Sequence, residues 1–356
     1  MMQLPYSIEL PINLLAACFN KTTSTYKFYW LLSIIQAVEN GTLKIKKRQL
    51  FSGMISNSWY TVNYFNVSFG KQDLIQEAIS SINSFESITI DEKREKVFQK
   101  LLTTKNSDTE KLLWHFNKNV PHWFLSPWFP KITNETDSIR EKRIYSESQR
   151  FESKSLYALH QDYIEINPEW VNYLSTNSKV LKDFCYWNLA LYLQSKNPNV
   201  PDIPNKLIKP AMRNNLNKHR TQFWDVVLDE LGSVDCIYTG QKLSKGNYAV
   251  EHFIPYSFVS HDLIWNLIPV DKSFNSSKSN KLPVLEKHFE PFYQLQKEAY
   301  EIVRSKTPQN KFLEDYLTVL HVEENSINRE KFKEVIQPLV LIASNNGFEF
   351  MTICNS

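Results

Sequence analysis

Four closely spaced segments decide how this chain is interpreted: DCIYTG at 235–240, VEHFIP at 250–255, WNLIP at 265–269 and NSSK at 275–278. Gly240 and Gly246 supply turns, and the stretch from Tyr248 to Phe253 has the composition of a strand. From Val270 onward the chain can leave the next loop as a helix. The passage therefore predicts two short strands, a loop and a helix.

Glu251, His252 and Asn275 are polar residues suited to one kind of chemistry. An imidazole can take a proton near neutral pH because its unperturbed pKa is about 6.5. Carboxylate and amide oxygens are the ligands that hard divalent cations prefer. Neighbouring strand residues point to opposite faces, so Glu251 and His252 can share a site only where the strand ends, and Pro255 is compatible with such an end. The set is typical of metal-assisted phosphodiester hydrolysis.

The passage from Cys236 to Pro283 resembles the HNH (His-Me finger, ββα-metal) endonuclease family. The pattern of that family is an acidic residue, His and a nearby Pro, then Asn, then a second Asn or His. The passage is especially similar to the HNH domains of the RNA-guided CRISPR nucleases, in which a CxYxG strand opening also precedes the acidic-His pair. The resemblance implies the following roles: His252 as general base, Glu251 and Asn275 as metal ligands, Asn266 as the brace of the loop, and Lys278 close to the phosphate.

The resemblance also implies Mg²⁺ or Mn²⁺, in-line attack by water, and a cut that leaves a 5′-phosphate and a 3′-hydroxyl. Two positions depart from the family pattern. Glu251 replaces the more usual Asp, and its extra methylene changes the metal geometry. Thr239 stands where zinc-containing members have a second Cys, so no structural zinc is expected and packing must hold the fold.

Outside this passage, the stretches Thr25–Trp30 and Ala343–Phe348 resemble a group of bacterial HNH-domain proteins. Some of that group look like restriction or anti-phage components. The resemblance implies a role in cellular defence, with a protein partner from a defence system as a further expectation.

Each of these residues also has a structural interpretation. His252 could be a buried histidine satisfied by a carbonyl, although the surrounding Glu, Pro and Asn residues favour catalysis. Asn266 could be a turn former, Asn275 a helix N-cap and Lys278 a solvated charge. The basic run from Lys206 to Arg220 predicts either a phosphate-tracking surface or a solvated helix face.

Composition favours packed helices. Of 356 residues, 42% are hydrophobic and only 7 are Gly, which predicts a mainly α fold. Together with the small ββα-metal core that the resemblance implies, the expected class is α+β overall. The net charge of +3 is too small to indicate nucleic-acid binding by itself. Four cysteines without a CxxC pair argue against a disulfide framework and a zinc ribbon. With no leader and no apolar run long enough to cross a bilayer, the sequence predicts a cytoplasmic protein without membrane contact.

Helical spacing predicts several helices along the chain. They fall at Tyr26–Val38, at Asp73–Leu102 as two helices that break near Ser80 and Ser81, at 103–118, at 170–195, at 211–231, at 284–306, at 311–320 and at 329–345, the last closed by Gly347. The Pro-rich and aromatic stretch Val120–Ile144 predicts an ordered loop. Four prolines between Asn197 and Pro210 predict a domain boundary.

The expected domains are a helical region at 1–200 that positions substrate or a partner, and a nuclease region at 201–356 with its core at about 235–283. The favoured hypothesis is a metal-dependent endonuclease that cuts DNA rather than RNA. Two alternatives stay open. The protein could bind nucleic acid or a partner through an HNH core that is inactive or activated by a partner, or it could be an RNA-cutting nuclease.

Overall fold

The computed structural model describes residues 4–208, 215–320 and 327–352, with the side chains of residues 208, 276 and 318–320 left out. The chain divides into two compact units: unit 1 comprises residues 1–198 and 203–211, and unit 2 comprises residues 199–202 and 212–356. Helices account for 59% of the structure and the sheets are small and antiparallel, which confirms a mainly α fold with some β. The ββα-metal core and the roles given to 1–200 and 201–356 stay predictions.

Unit 1 consists of helices and one small sheet. The helices are α1 (Ile12–Ala17), α2 (Tyr26–Glu39), α3 (Lys47–Asn63), α4 (Leu74–Glu86), α5 (Arg94–Thr103), α6 (Ser107–His115), α7 (Val120–Phe124), α8 (Asp137–Ser148), α9 (Pro168–Thr176), α10 (Ser178–Lys196) and α11 (Ile203–Ile208). The strands β1 (Lys44–Lys46), β2 (Tyr157–Leu159) and β3 (Tyr163–Ile166) form an antiparallel sheet with β3 in the centre. The sequence analysis did not predict this sheet.

The core of unit 1 is organised around α2, which is buried on nearly every side. A helix that is apolar all round is stable only inside a protein, and α3 and α10 pack against this one. Gly53 of α3 makes the closest approach, because a Cβ there would lie 2.6 Å from Oγ of Ser33 in α2. Neither α2 nor any other helix in the described chain is both long and apolar enough to cross a bilayer.

The predicted break near Ser80 and Ser81 is wrong, because α4 runs through both residues. Ile75, Ile79 and Ile82 form a buried stripe at helical spacing. Burial of that stripe outweighs the modest helix propensity of serine. The separation from α5 comes later, after Ser87 adopts a left-handed conformation with φ of +48°.

The predicted loop at Val120–Ile144 is also wrong at both ends. Pro121 lies in the first turn of α7, where a missing N–H costs no hydrogen bond. The other end of the stretch belongs to α8, which Thr136 caps by accepting a hydrogen bond from the N–H of Ile139. Prolines therefore mark helix starts here as well as loops.

Unit 2 begins with a helix in three parts: α12 (Asn217–His219), a π-helical turn (Arg220–Trp224) and α13 (Asp225–Leu231). The predicted start of this helix at Ala211 lies outside the described residues. The strands are β4 (Val234–Asp235), β5 (Lys242–Leu243), β6 (Ala249–His252) and β7 (Leu267–Val270), paired β4 with β5 and β6 with β7. The remaining helices are α14 (Tyr256–Val259), α15 (Lys272–Lys278), α16 (Leu285–Lys306), α17 (Leu313–Leu320) and α18 (Arg329–Asn345). Helices α16, α17 and α18 confirm the prediction for the C-terminal region, and Gly347 has the positive φ expected after a helix end.

His122 in α7 gives the stability of the protein a pH dependence. Its side chain is 5% exposed, and burial, with a smaller contribution from the charge of Lys47, lowers its pKa from 6.5 to about 4. As the pH falls, the unfolded chain therefore takes up this proton before the folded protein does. The contribution of neutral His122 to the free energy of unfolding is fully present above pH 6.5 and is lost as the pH falls toward 4. Between about pH 7 and pH 4.5, the free energy of unfolding should fall by about 2 kcal/mol less in His122→Gln than in the wild type. Urea titrations measure this difference, and identical pH profiles would contradict it.

Candidate active site

The antiparallel hairpin of β6 and β7 positions the acidic-His pair. Glu251 pairs with Ile268 and His252 with Leu267, so the pair lies at the end of β6, where the strand stops. Glu251 is 4% exposed and His252 is fully buried. Both residues lie within the paired part of β6, so their side chains leave opposite faces of the strand, which ends directly after His252.

Asn266 holds the backbone that follows His252. Its side-chain Oδ1 accepts a hydrogen bond from the N–H of Ile254 at 2.8 Å, and its Nδ2 donates to the carbonyl of Ile254 at 2.9 Å. The N–H of Phe253 also donates to the carbonyl of Asn266 at 2.7 Å. Only an amide side chain supplies both a donor and an acceptor in this geometry. Asn266 therefore fixes the direction of the chain just before Pro255.

The imidazole of His252 contacts the loop between β6 and β7. Its Nε2 lies 3.0 Å from Oδ1 of Asp262 and 3.2 Å from the carbonyl oxygen of His261. Both partners are acceptors, so Nε2 carries the hydrogen and donates it. In the neutral ring the lone pair is then on Nδ1, which is buried and has no hydrogen-bond partner in the described chain. The contacts leave Nδ1 as the basic atom.

Lys278 connects helix α15 to the end of β6. Its Nζ donates to the carbonyl of His252 at 2.7 Å and lies 3.7 Å from Oε1 of Glu251. The side chains of both charged residues are 5% exposed or less. The interpretation of Lys278 as a solvated charge is therefore wrong. A buried carboxylate needs a compensating charge, and Lys278 provides it.

Asn275 lies on α15 three residues before Lys278, so the two side chains share one face of the helix. The interpretation of Asn275 as an N-cap is wrong, because Asp271 caps α15 by accepting hydrogen bonds from the N–H groups of Ser273 and Phe274. The Oδ1 atom of Asn275 is buried and has no hydrogen-bond partner among the described residues. This amide oxygen is therefore a ligand that a cation could bind.

The residues fit a hard divalent metal with an incomplete protein shell. The described part of the chain contains no group of three or more His, Cys, Asp and Glu side chains that could hold a metal. Glu251 and Asn275 offer one carboxylate and one unpartnered amide oxygen. Magnesium is usually bound by one or two carboxylates together with waters and substrate phosphates, so this donor set is sufficient for it.

The aromatic ring of Tyr238 lies near Glu251. Its ring stacks on Phe274 of α15 at 4.6 Å and lies 5.1 Å from His288 of α16. Burial raises the pKa of Tyr238 well above its usual value, and the negative charge of Glu251 raises it further. The phenol therefore stays protonated and adds no second negative charge to the site.

Residues of helices α16 and α17 form hydrogen bonds with the β6–β7 loop. Asp315 accepts a hydrogen bond from the N–H of Ile264 at 2.8 Å. Gln296 donates to the carbonyls of Ile264 at 3.3 Å and Leu267 at 2.8 Å, and Tyr316 donates to Oε1 of Gln296 at 2.5 Å. Gln296 and Tyr316 are fully buried. The loop that orients His252 is therefore fixed by residues far along the chain.

Sequence reasoning missed Asp262, whose carboxylate contacts the ring of His252. Its signal was a polar residue in the short connection between the two strands, ten residues after His252. Gln296 and Asp315 carried no signal, because nothing in their local sequence indicates contact with a distant loop.

The basic run from Lys206 to Arg220 is described only in part. Lys209 and Arg213 lie outside the described residues. Lys206 is 1% exposed, so a solvated helix face is wrong for it. Arg220 lies over the ring of Tyr248 at 4.9 Å. His219 lies close to Asp262, whose charge opposes the lowering of the His219 pKa by burial.

One part of the chain matches a known protein family. Residues 236–284 match the family model of HNH endonucleases. This HNH segment contains Glu251, His252, Asn266, Asn275 and Lys278. No curated protein and no solved structure gives a significant match to the chain. Unit 1 and the helices that follow the HNH segment lie outside the family match.

Replacing the brace of the HNH segment should be costly. In Asn266→Ala the buried N–H and C=O of Ile254 both lose their partner, so the free energy of unfolding should fall by about 2–4 kcal/mol. The control is Asn247→Ala, at an exposed position, which should change it by about 0.5 kcal/mol or less. Urea unfolding of both variants measures the difference, and equal stabilities would overturn the bracing role.

Proposed function

We propose that the HNH segment hydrolyses phosphodiester bonds of DNA in a reaction that depends on a divalent metal, with His252 as general base. The observation that carries the proposal is the unpartnered Nδ1 of a buried imidazole whose Nε2 is held by two acceptors. The match to HNH endonucleases supports a nuclease, and DNA is the substrate that we propose.

In the proposed reaction, Nδ1 of His252 takes a proton from water as the water oxygen attacks phosphorus. The bond from phosphorus to the 3′ oxygen breaks, and that oxygen leaves and takes a proton from solvent. The products are a 5′-phosphate and a 3′-hydroxyl. The negative charge of Asp262 balances the imidazolium that forms on His252, because the two groups are already hydrogen-bonded.

Glu251 and Asn275 would hold the metal, Mg²⁺ or Mn²⁺, which supplies positive charge to the scissile phosphate when bound. Lys278 lies 3.7 Å from one carboxylate oxygen of Glu251 and balances its charge in the structure. We propose that the same ammonium group lies close to the substrate phosphate. Asn266 keeps the backbone around His252 in place and has no chemical step.

The near-complete burial of these side chains supports a second candidate, an HNH segment that stays closed until a partner or substrate binds. Glu251, His252, Asn266 and Lys278 are each 4% exposed or less. A site closed to this degree suits a nuclease under control, and the resemblance to bacterial defence proteins makes a cytoplasmic defence system the setting that we propose.

Digestion assays test the first candidate directly. Supercoiled plasmid, linear duplex, single-stranded DNA and single-stranded RNA are incubated with the full chain in Mg²⁺, Mn²⁺ or EDTA. We expect metal-dependent cleavage of DNA that falls by about a hundredfold or more in His252→Ala, because the proton acceptor is lost. His160→Ala, in unit 1, is the control and should cleave as the wild type does.

Equal cleavage by the wild type and His252→Ala, or cleavage that persists in EDTA, would contradict the proposal. DNA binding that is unaffected by His252→Ala, with no cleavage in any metal, would support the closed or inactive candidate instead. Preferential cleavage of RNA would overturn the choice of substrate.

A further inference from the structure

A second site lies in unit 1, at the start of α2. The cavity there has a volume of about 450 Å³ and opens between the turn that precedes α2, helix α7 and helix α8. All of its lining residues belong to unit 1. The proposed nuclease chemistry makes no use of it.

The lining of this cavity is positively charged. Lys21, Lys27 and Arg140 contribute cations, and no carboxylate is among the described residues that line it. Burial lowers the pKa of Lys27, and the positive charge of Arg140 lowers it further, so the two cations lie close enough to repel each other. Lys27 donates to the carbonyl of Cys18, and Arg140 donates to the carbonyls of Ser126 and Phe129. These partners carry no full charge, so a bound anion would still relieve the repulsion.

The nearby carboxylate of Asp73 is already engaged. It accepts hydrogen bonds from the N–H of Thr25 at 2.5 Å, from the hydroxyl of Thr25 at 2.6 Å and from the N–H of Ile75 at 3.0 Å. Because the Thr25 hydroxyl is directed to Asp73, no side chain caps the first turn of α2 in the described chain. The positive end of this 14-residue helix therefore already faces the carboxylate of Asp73, and the residues of the turn Thr22–Ser24 contribute hydroxyl groups to the lining beside the cations.

The size of the cavity and its aromatic wall select the kind of anion. Pockets of about 300–1,000 Å³ hold small organic ligands, so the space is larger than a phosphate ion needs. Trp123 and Tyr26 form part of the wall, and the Arg140 guanidinium lies 5.5 Å from the centre of the Trp123 ring. A phosphate attached to a flat, partly apolar group matches this combination.

We propose that this cavity binds the phosphate monoester of a nucleotide, either free in solution or at the 5′ end of a single-stranded nucleic acid. Lys21, Lys27 and Arg140 neutralise the phosphate, and the aromatic wall contacts the base. The site is independent of the proposed nuclease reaction.

Binding is measured by calorimetry with full-length His252→Ala protein, so that no strand is cut. The probes are the four nucleoside 5′-monophosphates, the matching nucleosides, and an oligodeoxynucleotide with either a 5′-phosphate or a 5′-hydroxyl. We expect a phosphorylated probe to bind and its unphosphorylated counterpart to bind at least about tenfold more weakly. Binding of a free monophosphate alone identifies a soluble nucleotide, and binding of the phosphorylated strand alone identifies a nucleic-acid end.

Two variants locate the site. Lys21→Glu reverses an exposed charge and leaves the core untouched, while Lys27→Met keeps the apolar stem and removes the charge. Each should weaken binding of the phosphorylated probe by about tenfold or more, and Lys105→Glu, an exposed lysine outside the cavity, should not. The proposal is overturned if no phosphorylated probe binds at about 1 mM, if the phosphate makes no difference, or if Lys21→Glu binds as Lys105→Glu does.

Discussion

The hydrogen bonds from Nε2 of His252 to Asp262 and to the carbonyl of His261 are the constraint on which the candidate site depends. They assign the proton to one ring nitrogen and leave the lone pair on the other. The rest of unit 2 keeps the β6–β7 loop where it can make these bonds: Asn266 fixes the start of the loop, and Gln296 and Asp315 fix its end. The tautomer of the His252 ring thus depends on hydrogen bonds between side chains and backbone groups of several elements.

Two opposite charges lie close together at the same strand end. Glu251 and Lys278 are buried as a pair, and loss of either partner would leave an uncompensated charge in a dry environment, which is strongly destabilising. Tyr238 lies beside them and stays uncharged. The oxygen of Asn275 is left as an acceptor on the face of α15 that carries Lys278. These contacts explain how buried charges at this strand end are compatible with a stable fold.

Local patterns predicted the parts of this site that are close together in sequence. The strand expected at Tyr248–Phe253 is β6, and the helix expected after Val270 begins at Lys272, because short-range spacing and turn residues decide both. The residues that fix the β6–β7 loop were beyond such reasoning, since Gln296 and Asp315 reach the loop only through the packing of α16 and α17. The sheet of unit 1 was missed for a similar reason: its strands have three or four residues, too few for an alternating pattern, and β1 pairs with β3 across more than a hundred residues. The cation-lined cavity likewise joins Lys21 to Arg140 only after folding.

The protonation pattern of the His252 ring tests most directly whether Nδ1 is the basic atom of the site. A nitrogen-15 NMR spectrum of histidine-labelled protein, recorded at a pH where the ring is neutral and assigned by comparison with His252→Gln, reports which nitrogen carries the hydrogen. We expect the tautomer with hydrogen on Nε2 and a bare Nδ1. A spectrum with hydrogen on Nδ1 would show that the basic lone pair faces Asp262, and the assignment of His252 as a general base acting through Nδ1 would be wrong.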